Sequence, residues 1–313
     1  MAEHGAQHGK LQSLMAAGTF AVTAEVTPPL SASAATLMAK AAPLKGLADA
    51  VNVTDSAGAR VAMSSFAAAA ILAGQGIEPV LQITCRDRNR IAIANDLLGA
   101  AAQGVHNLLL IHGDAPDVGD MPEAKPVYDL ESRDVMALAR QMRDDGQVPS
   151  GRDIDSPPRL FIGAADIPID PPPGWAPTGL IAKAEAGADF VQTQFCFDPG
   201  QARRYLGALA DAGLTERLKI LIGVGPIASA RSARWMNENL RGVTVPDATI
   251  ARLEAAADPA AEGRAICIEM IQGLAEIPGA AGVHVMAPLQ GSDAIAAVIE
   301  ESGVLNRRAS AAE

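Results

Sequence analysis

Eight short apolar runs, each bounded by Gly, Pro, Asp or a polar turn residue, alternate along this chain with stretches of helical periodicity. The runs are 20–26, 50–54, 79–84, 107–111, 160–164, 190–194, 218–224 and 282–286, and helical patterns occupy 32–43, 64–75, 89–102, 134–145, 179–186, 200–212, 230–239, 246–256, 263–277 and 293–301. Strand followed by helix, repeated, is the pattern of a parallel sheet whose crossovers are helices. Eight such units in 313 residues predict an α/β chain folded as a (β/α)8 TIM barrel, which typically needs about 250 residues. A doubly wound open sheet is the competing arrangement. The surplus length falls in two loops, 113–132 and 166–178. The second holds Pro168, Pro171, Pro172, Pro173 and Pro177 and cannot be regular helix. With no low-complexity linker, a single domain is expected, its core about 18–304 with ragged ends.

Composition narrows the class. Hydrophobic residues are 49% and charged residues 19%, too apolar for a disordered chain, and no uninterrupted run reaches the ~20 residues of a membrane span. The first ten residues carry Glu3, His4 and His8 without an apolar stretch behind a basic start, so no secretory signal is expected and the cytoplasm is the default compartment. A net charge of −11 argues against nucleic acid as a partner. Cys85, Cys196 and Cys267 are too scattered for a zinc site or a disulfide framework, so they are expected as reduced thiols, with no metal. In 89–102, Ile91, Ala94, Leu98 and Ala101 form an apolar stripe expected to cover the sheet.

In a barrel, chemistry gathers where strands end and the following loops begin. Polar residues there are Glu25, Thr54 with Asp55, Gln82 with Thr84, His112 with Asp114, Asp166, and Gln192 with Gln194. Glu25 interrupts the run Thr23-Ala24-Glu25-Val26, and facing inward it would be partly desolvated and suited to general acid work; an outward glutamate is the other reading. Gly113, in His112-Gly113-Asp114, would let the backbone approach a flat ligand. Alternation puts Gln192 and Gln194 on one face and Thr193 and Phe195 on the other. Gly223-Val224-Gly225-Pro226 imitates a dinucleotide fingerprint, but Pro226 removes a backbone donor. His106 and His284 read as core or rim histidines.

Six segments, in this order, carry a resemblance: Ala24-Glu25-Val26-Thr27-Pro28-Pro29, Val51-Asn52-Val53-Thr54-Asp55, Ile83-Thr84-Cys85-Arg86-Asp87, Gly113-Asp114, Ala186-Gly187-Ala188-Asp189-Phe190 and Thr193-Gln194-Phe195. Together they resemble the methylenetetrahydrofolate reductases, flavin-dependent barrels of one-carbon metabolism, from about 18 to 304. The resemblance implies FAD as cofactor and reduction of 5,10-methylenetetrahydrofolate to 5-methyltetrahydrofolate, or the reverse. It implies Glu25 as general acid and folate contact, Asp114 as a catalytic residue beside the flavin that tunes both half-reactions, and Gln194 on the pterin ring. Thr54, Asp55, Gln82, His112, Gly113, Tyr128 and Lys183 are implied as further cofactor contacts. A homo-oligomer and a folate partner are implied too. This chain departs from the family after the fifth run, where Ala165-Asp166-Ile167-Pro168 replaces Tyr-Pro-Glu. Met236 stands for an aromatic and Gln290 for a folate-tail arginine. These changes leave the electron donor open between NAD(P)H and a ferredoxin or partner subunit. Rival expectations are a non-catalytic flavin- or folate-binding subunit and a flavin-free one-carbon transferase barrel.

Overall fold

The computed structural model describes residues 9–288 and 290–306. Its strands are β1 (Ala21–Val26), β2 (Ala50–Val53), β3 (Pro79–Thr84), β4 (Asn107–Ile111), β5 (Phe161–Asp166), β6 (Phe190–Phe195), β7 (Lys219–Val224) and β8 (Ala280–Val285). All pair in parallel in chain order, and β1 pairs with β8 from Ala21↔Gly282 to Ala24↔Val285, closing the barrel. Closure excludes the open sheet. Each expected run lies within two residues of its strand at either end.

The helices are α1 (Lys10–Ala16), α2 (Ala34–Ala41), α3 (Ser65–Gly74), α4 (Arg90–Ala102), α5 (Ser132–Asp144), α6 (Thr178–Ala186), α7 (Pro199–Asp211), α8 (Leu214–Arg217), α9 (Ala230–Asn239), α10 (Asp247–Ala255), α11 (Pro259–Leu274) and α12 (Ser292–Ser302). Their starts follow side-chain capping. Asn89 accepts from the amides of Ile91 and Ala92 to open α4, and Glu131 with Asp134 forms a reciprocal box at α5. The pattern expected at 32–43 ends as an α-helix at Ala41 and tightens into a 3-10 turn, Ala42–Leu44, that takes in Pro43. The stripe expected on α4 is rotated. Ile93, Leu97 and Ala100 are buried, while Ile91 is 68% exposed. Apolar residues surround this helix, so spacing alone did not select the face that packs.

Inward-facing residues fill the barrel in layers. The lowest is apolar: Ala21, Ala50, Val80, Leu109, Phe161, Phe190 and Leu221 cluster with Leu11 and Met15 of α1. Thus α1, absent from the sequence expectation, plugs the amino end of the barrel. The Glu78 carboxylate holds it there, accepting from the amides of Lys10 (2.7 Å) and Leu11 (2.9 Å). Phe190 stacks on Phe161, with centroids 4.8 Å apart. Gly163 makes room for that ring, because a Cβ there would lie 2.4 Å from it. The expectation drawn from Glu3, His4 and His8 falls outside the described residues. No helix among the described residues is long and apolar enough to cross a membrane.

Candidate active site

Above the apolar floor the barrel interior turns polar. Thr23 (β1), Asn52 (β2), Gln82 (β3), Gln192 (β6) and His284 (β8) are all buried. Gln192 Nε2 donates to Thr23 Oγ1 (3.0 Å) and Asn52 Oδ1 (3.0 Å), and Asn52 Nδ2 donates to Gln192 Oε1 (2.6 Å). Thr23 Oγ1 lies 3.0 Å from His284 Nδ1. Such a layer is tolerated only because its members satisfy one another. Glu25, two residues beyond Thr23 and on the same face of β1, stands above it. Its Oε2 accepts from Gln82 Nε2 (3.2 Å) and lies 3.7 Å from His284 Nε2. The carboxylate faces inward with its side chain 24% exposed, so the outward reading is excluded.

Glu25, Gln82, Gln192, Gln194 and His284 are among the residues lining a cavity of about 680 Å3. Ile167, Ile169, Trp175, the first turn of α6 (Thr178, Gly179), Lys183, Arg241 and Met286 line it too. Lys183 Nζ donates to Ala165 O (2.6 Å) and lies 3.4 Å from Asp166 Oδ1. Asp166 in turn accepts from Tyr205 (2.5 Å), whose own acidity is suppressed by burial and by that neighbouring carboxylate. Strict alternation fails at the end of β6. The register with β7 shifts between Gln192 and Phe195, so Gln192, Thr193 and Gln194 all reach the cavity. Gln194 Oε1 accepts from the Phe195 amide (2.9 Å), which leaves its NH2 for a ligand.

The remaining expected residues gather on the β2–β4 rim, outside this cavity. Asp55 is engaged within the chain: its oxygens accept from Ser65 Oγ (2.9 Å), Thr84 N and Oγ1 (2.9 Å each) and Arg88 (2.7 Å). Burial alone would raise its pKa, but the Arg88 hydrogen bond and charge, with Thr84 and Ser65, hold it below the usual carboxylate value. Asp114 is exposed, and its carboxylate accepts from the Gly58 amide (3.0 Å). Tyr128 stacks on His112 at 4.4 Å and donates to Gly113 O, so these three engage one another. Gly113, at φ +90°, backs onto Thr84, whose Cβ would lie 2.8 Å from an added Cβ. Arg86 is buried beside them, donating to Asp114 O (3.1 Å) and Asp87. Thr54 differs: it is 3% exposed, and its hydroxyl has no hydrogen-bond partner among the described residues.

Burial pushes the thiols of Cys85 and Cys196 up to about 11 and that of Cys267 up to about 12, which leaves them poor nucleophiles. Met236 packs into a cluster with Phe195, Phe197 and Ile227, and Gln290 donates to Pro226 O (2.8 Å); neither reaches the cavity. Asn52 and His284 were missed as site residues. The signal was a polar residue between two valines, in Val51-Asn52-Val53 and Val283-His284-Val285.

A family model described as methylenetetrahydrofolate reductase matches residues 10–303. The chain belongs to the methylenetetrahydrofolate reductase family. Its similarity to methylenetetrahydrofolate reductase 2 of Schizosaccharomyces pombe is 25% identity over 267 residues, covering 81% of this chain and 40% of that one. A probable methylenetetrahydrofolate reductase (NADPH) of Caenorhabditis elegans is 27% identical over 236 residues, covering 72% and 32%. This methylenetetrahydrofolate reductase family member therefore spans two fifths or less of the relatives it matches. An uncharacterized Clostridium thermocellum protein that binds two copies of 5-methyl-5,6,7,8-tetrahydrofolic acid shares the fold, with a TM-score of 0.62 at 14% identity over 93% of this chain and 98% of that one.

Proposed function

We propose that the chain interconverts 5,10-methylenetetrahydrofolate and 5-methyltetrahydrofolate. The observation that carries this reading is Glu25, held inward and lining, together with Gln194, a cavity of about 680 Å3; that volume suits a ligand of folate or cofactor size. Glu25 Oε2 is occupied by Gln82, so the other oxygen faces the ligand. It serves as the proton donor that opens the five-membered ring of the methylene substrate and takes the proton back in reverse. The Gln194 NH2 binds the pterin edge. Ile167, Ile169 and Trp175 give that cavity an apolar wall that excludes water.

The residues fit FAD in part of the expected set. Thr54 presents an orphaned buried hydroxyl, and Lys183 with the open first turn of α6 suits a phosphate. Gln82 and Lys183, both lining the cavity, would hold the cofactor, which would supply a hydride to the folate carbon when bound. A second reading, hydride passed directly from NAD(P)H to the folate carbon without flavin, is favoured by one feature: the rim beside Asp114 is filled by buried Arg86 and by the Tyr128–His112 stack. An absorbance spectrum of purified protein, followed by turnover with and without added FAD, separates the two. Anaerobic titration with NADH, NADPH and reduced ferredoxin identifies the donor.

Glu25→Gln keeps folate binding and lowers folate turnover by about 10²–10⁴-fold, the usual loss on removing a general acid. Turnover at the parent rate would show that the proton comes from elsewhere.

A further inference from the structure

We infer that His284 is a positioning residue for Glu25, its imidazole held as the tautomer that carries its proton on Nε2, aimed at the carboxylate. This rests on the reading of Glu25 as proton donor. The polar layer has a direction. Asn52 Nδ2 donates to Gln192 Oε1 (2.6 Å), which turns the Gln192 NH2 onto Thr23 Oγ1 (3.0 Å). Thr23 accepts there and has one proton of its own to give. His284 Nδ1 at 3.0 Å is nearer than the alternative acceptor, Val283 O at 3.3 Å. With Nδ1 accepting, the neutral ring carries its hydrogen on Nε2, 3.7 Å from Glu25 Oε2.

Gln82 approaches the same oxygen at 3.2 Å, so two N–H groups face Oε2, and Oε1 has no hydrogen-bond partner among the described residues. His284 and Gln82 therefore decide which oxygen meets the ligand. The middle layer of such barrels is ordinarily branched aliphatic. Four interlocked polar side chains here, ending 3.7 Å from the carboxylate, are costly to bury unless their order is used.

Two amides split the histidine's two ends. Glutamine places its NH2 where Nε2 stood, whereas asparagine reaches only the Nδ1 position and preserves the contact to Thr23. His284→Asn should lower kcat for methylenetetrahydrofolate by about 100-fold with KM and Tm little altered, and His284→Gln should recover to within about tenfold of the parent. The reverse order, Asn active and Gln inactive, would make the histidine an anchor for Thr23 and overturn the inference, as would parent-rate turnover in both. If neither variant folds, Thr23→Val, which deletes only the hydroxyl, should cut kcat about tenfold; an unchanged kcat overturns it. A readout independent of turnover is the imidazole 15N spectrum. The chain has five histidines, and the resonance lost in His284→Asn should show the Nε2–H tautomer. An Nδ1–H pattern overturns the inference even if folate chemistry is confirmed, whereas a parent protein inert toward folate with an Nε2–H pattern would sink only the proposed function.

Discussion

Asp55→Asn tests whether Asp55 is a clamp or a ligand contact. The side chain joins the end of β2 to β3 through Thr84, to α3 through Ser65 and to the α4 entry through Arg88, all while 4% exposed. Asparagine keeps the shape but loses the charge, and its NH2 must face a donor whichever way it turns. Arg88 retains Asp96 at 2.9 Å, so its charge is only half abandoned. One charge-assisted pair and one unsatisfied buried donor put the loss at about 3 kcal/mol. At an unfolding entropy near 2.1 cal/mol/K per residue, that is a Tm drop of about 4–5 °C for a chain of this length. Urea titration monitored by circular dichroism, with calorimetry beside it, measures both. A variant as stable as the parent that has lost FAD or folate binding would refute the clamp and support the cofactor role implied by resemblance.

The same carboxylate gives a pH test. Because the folded pKa of Asp55 is lowered, its stabilisation is present above the unfolded value near ~4 and lost as pH falls through the folded value, so parent and Asp55→Asn stabilities should converge below about pH 4; a constant offset would contradict this. Leu11→Ala removes a fully buried side chain from the plug beneath the barrel and should cost about 3 kcal/mol by urea titration; an effect under about 0.5 kcal/mol would mean that α1 is not docked. Gly163→Ala should yield insoluble or strongly destabilised protein, since the new Cβ meets the Phe190 ring and the Leu108 carbonyl; normal melting would show that Phe190 can move aside.

The barrel was legible because alternation of short apolar runs with helices is repeated eight times, and one misplaced boundary does not alter the repeat. Glu25 and Gln82 were legible for a related reason, as each interrupts an apolar strand near its carboxyl end. Where the reading failed, a single local rule met competition. On α4 an apolar surface all round left the buried face to tertiary packing. At the end of β6, alternation was broken by a register shift that sequence does not mark. Asp55 and Asp114, implied as site residues by the resemblance, have their oxygens engaged by Arg88 and by the Gly58 amide, contacts that no motif marks. Arg241 lines the cavity from the segment following α9, and no motif announced it.

The division of the rim follows from its charges. On the β2–β4 side, Arg86 and Arg88 are drawn in by Asp87, Asp55 and Asp96, and Gly119 packs so closely on Ala59 that a Cβ would lie 2.0 Å from its carbonyl. That side is therefore filled by the chain itself. On the β5–β7 side the Pro-rich segment after β5 cannot form helix, and it contributes Ile169, Trp175 and Pro177 to the cavity wall. Glu25 sits between the two, buttressed from Gln82 and from His284. On the proposed function, a ligand in this cavity and the proton from Glu25 would meet on the β5–β7 side, away from the packed β2–β4 loops.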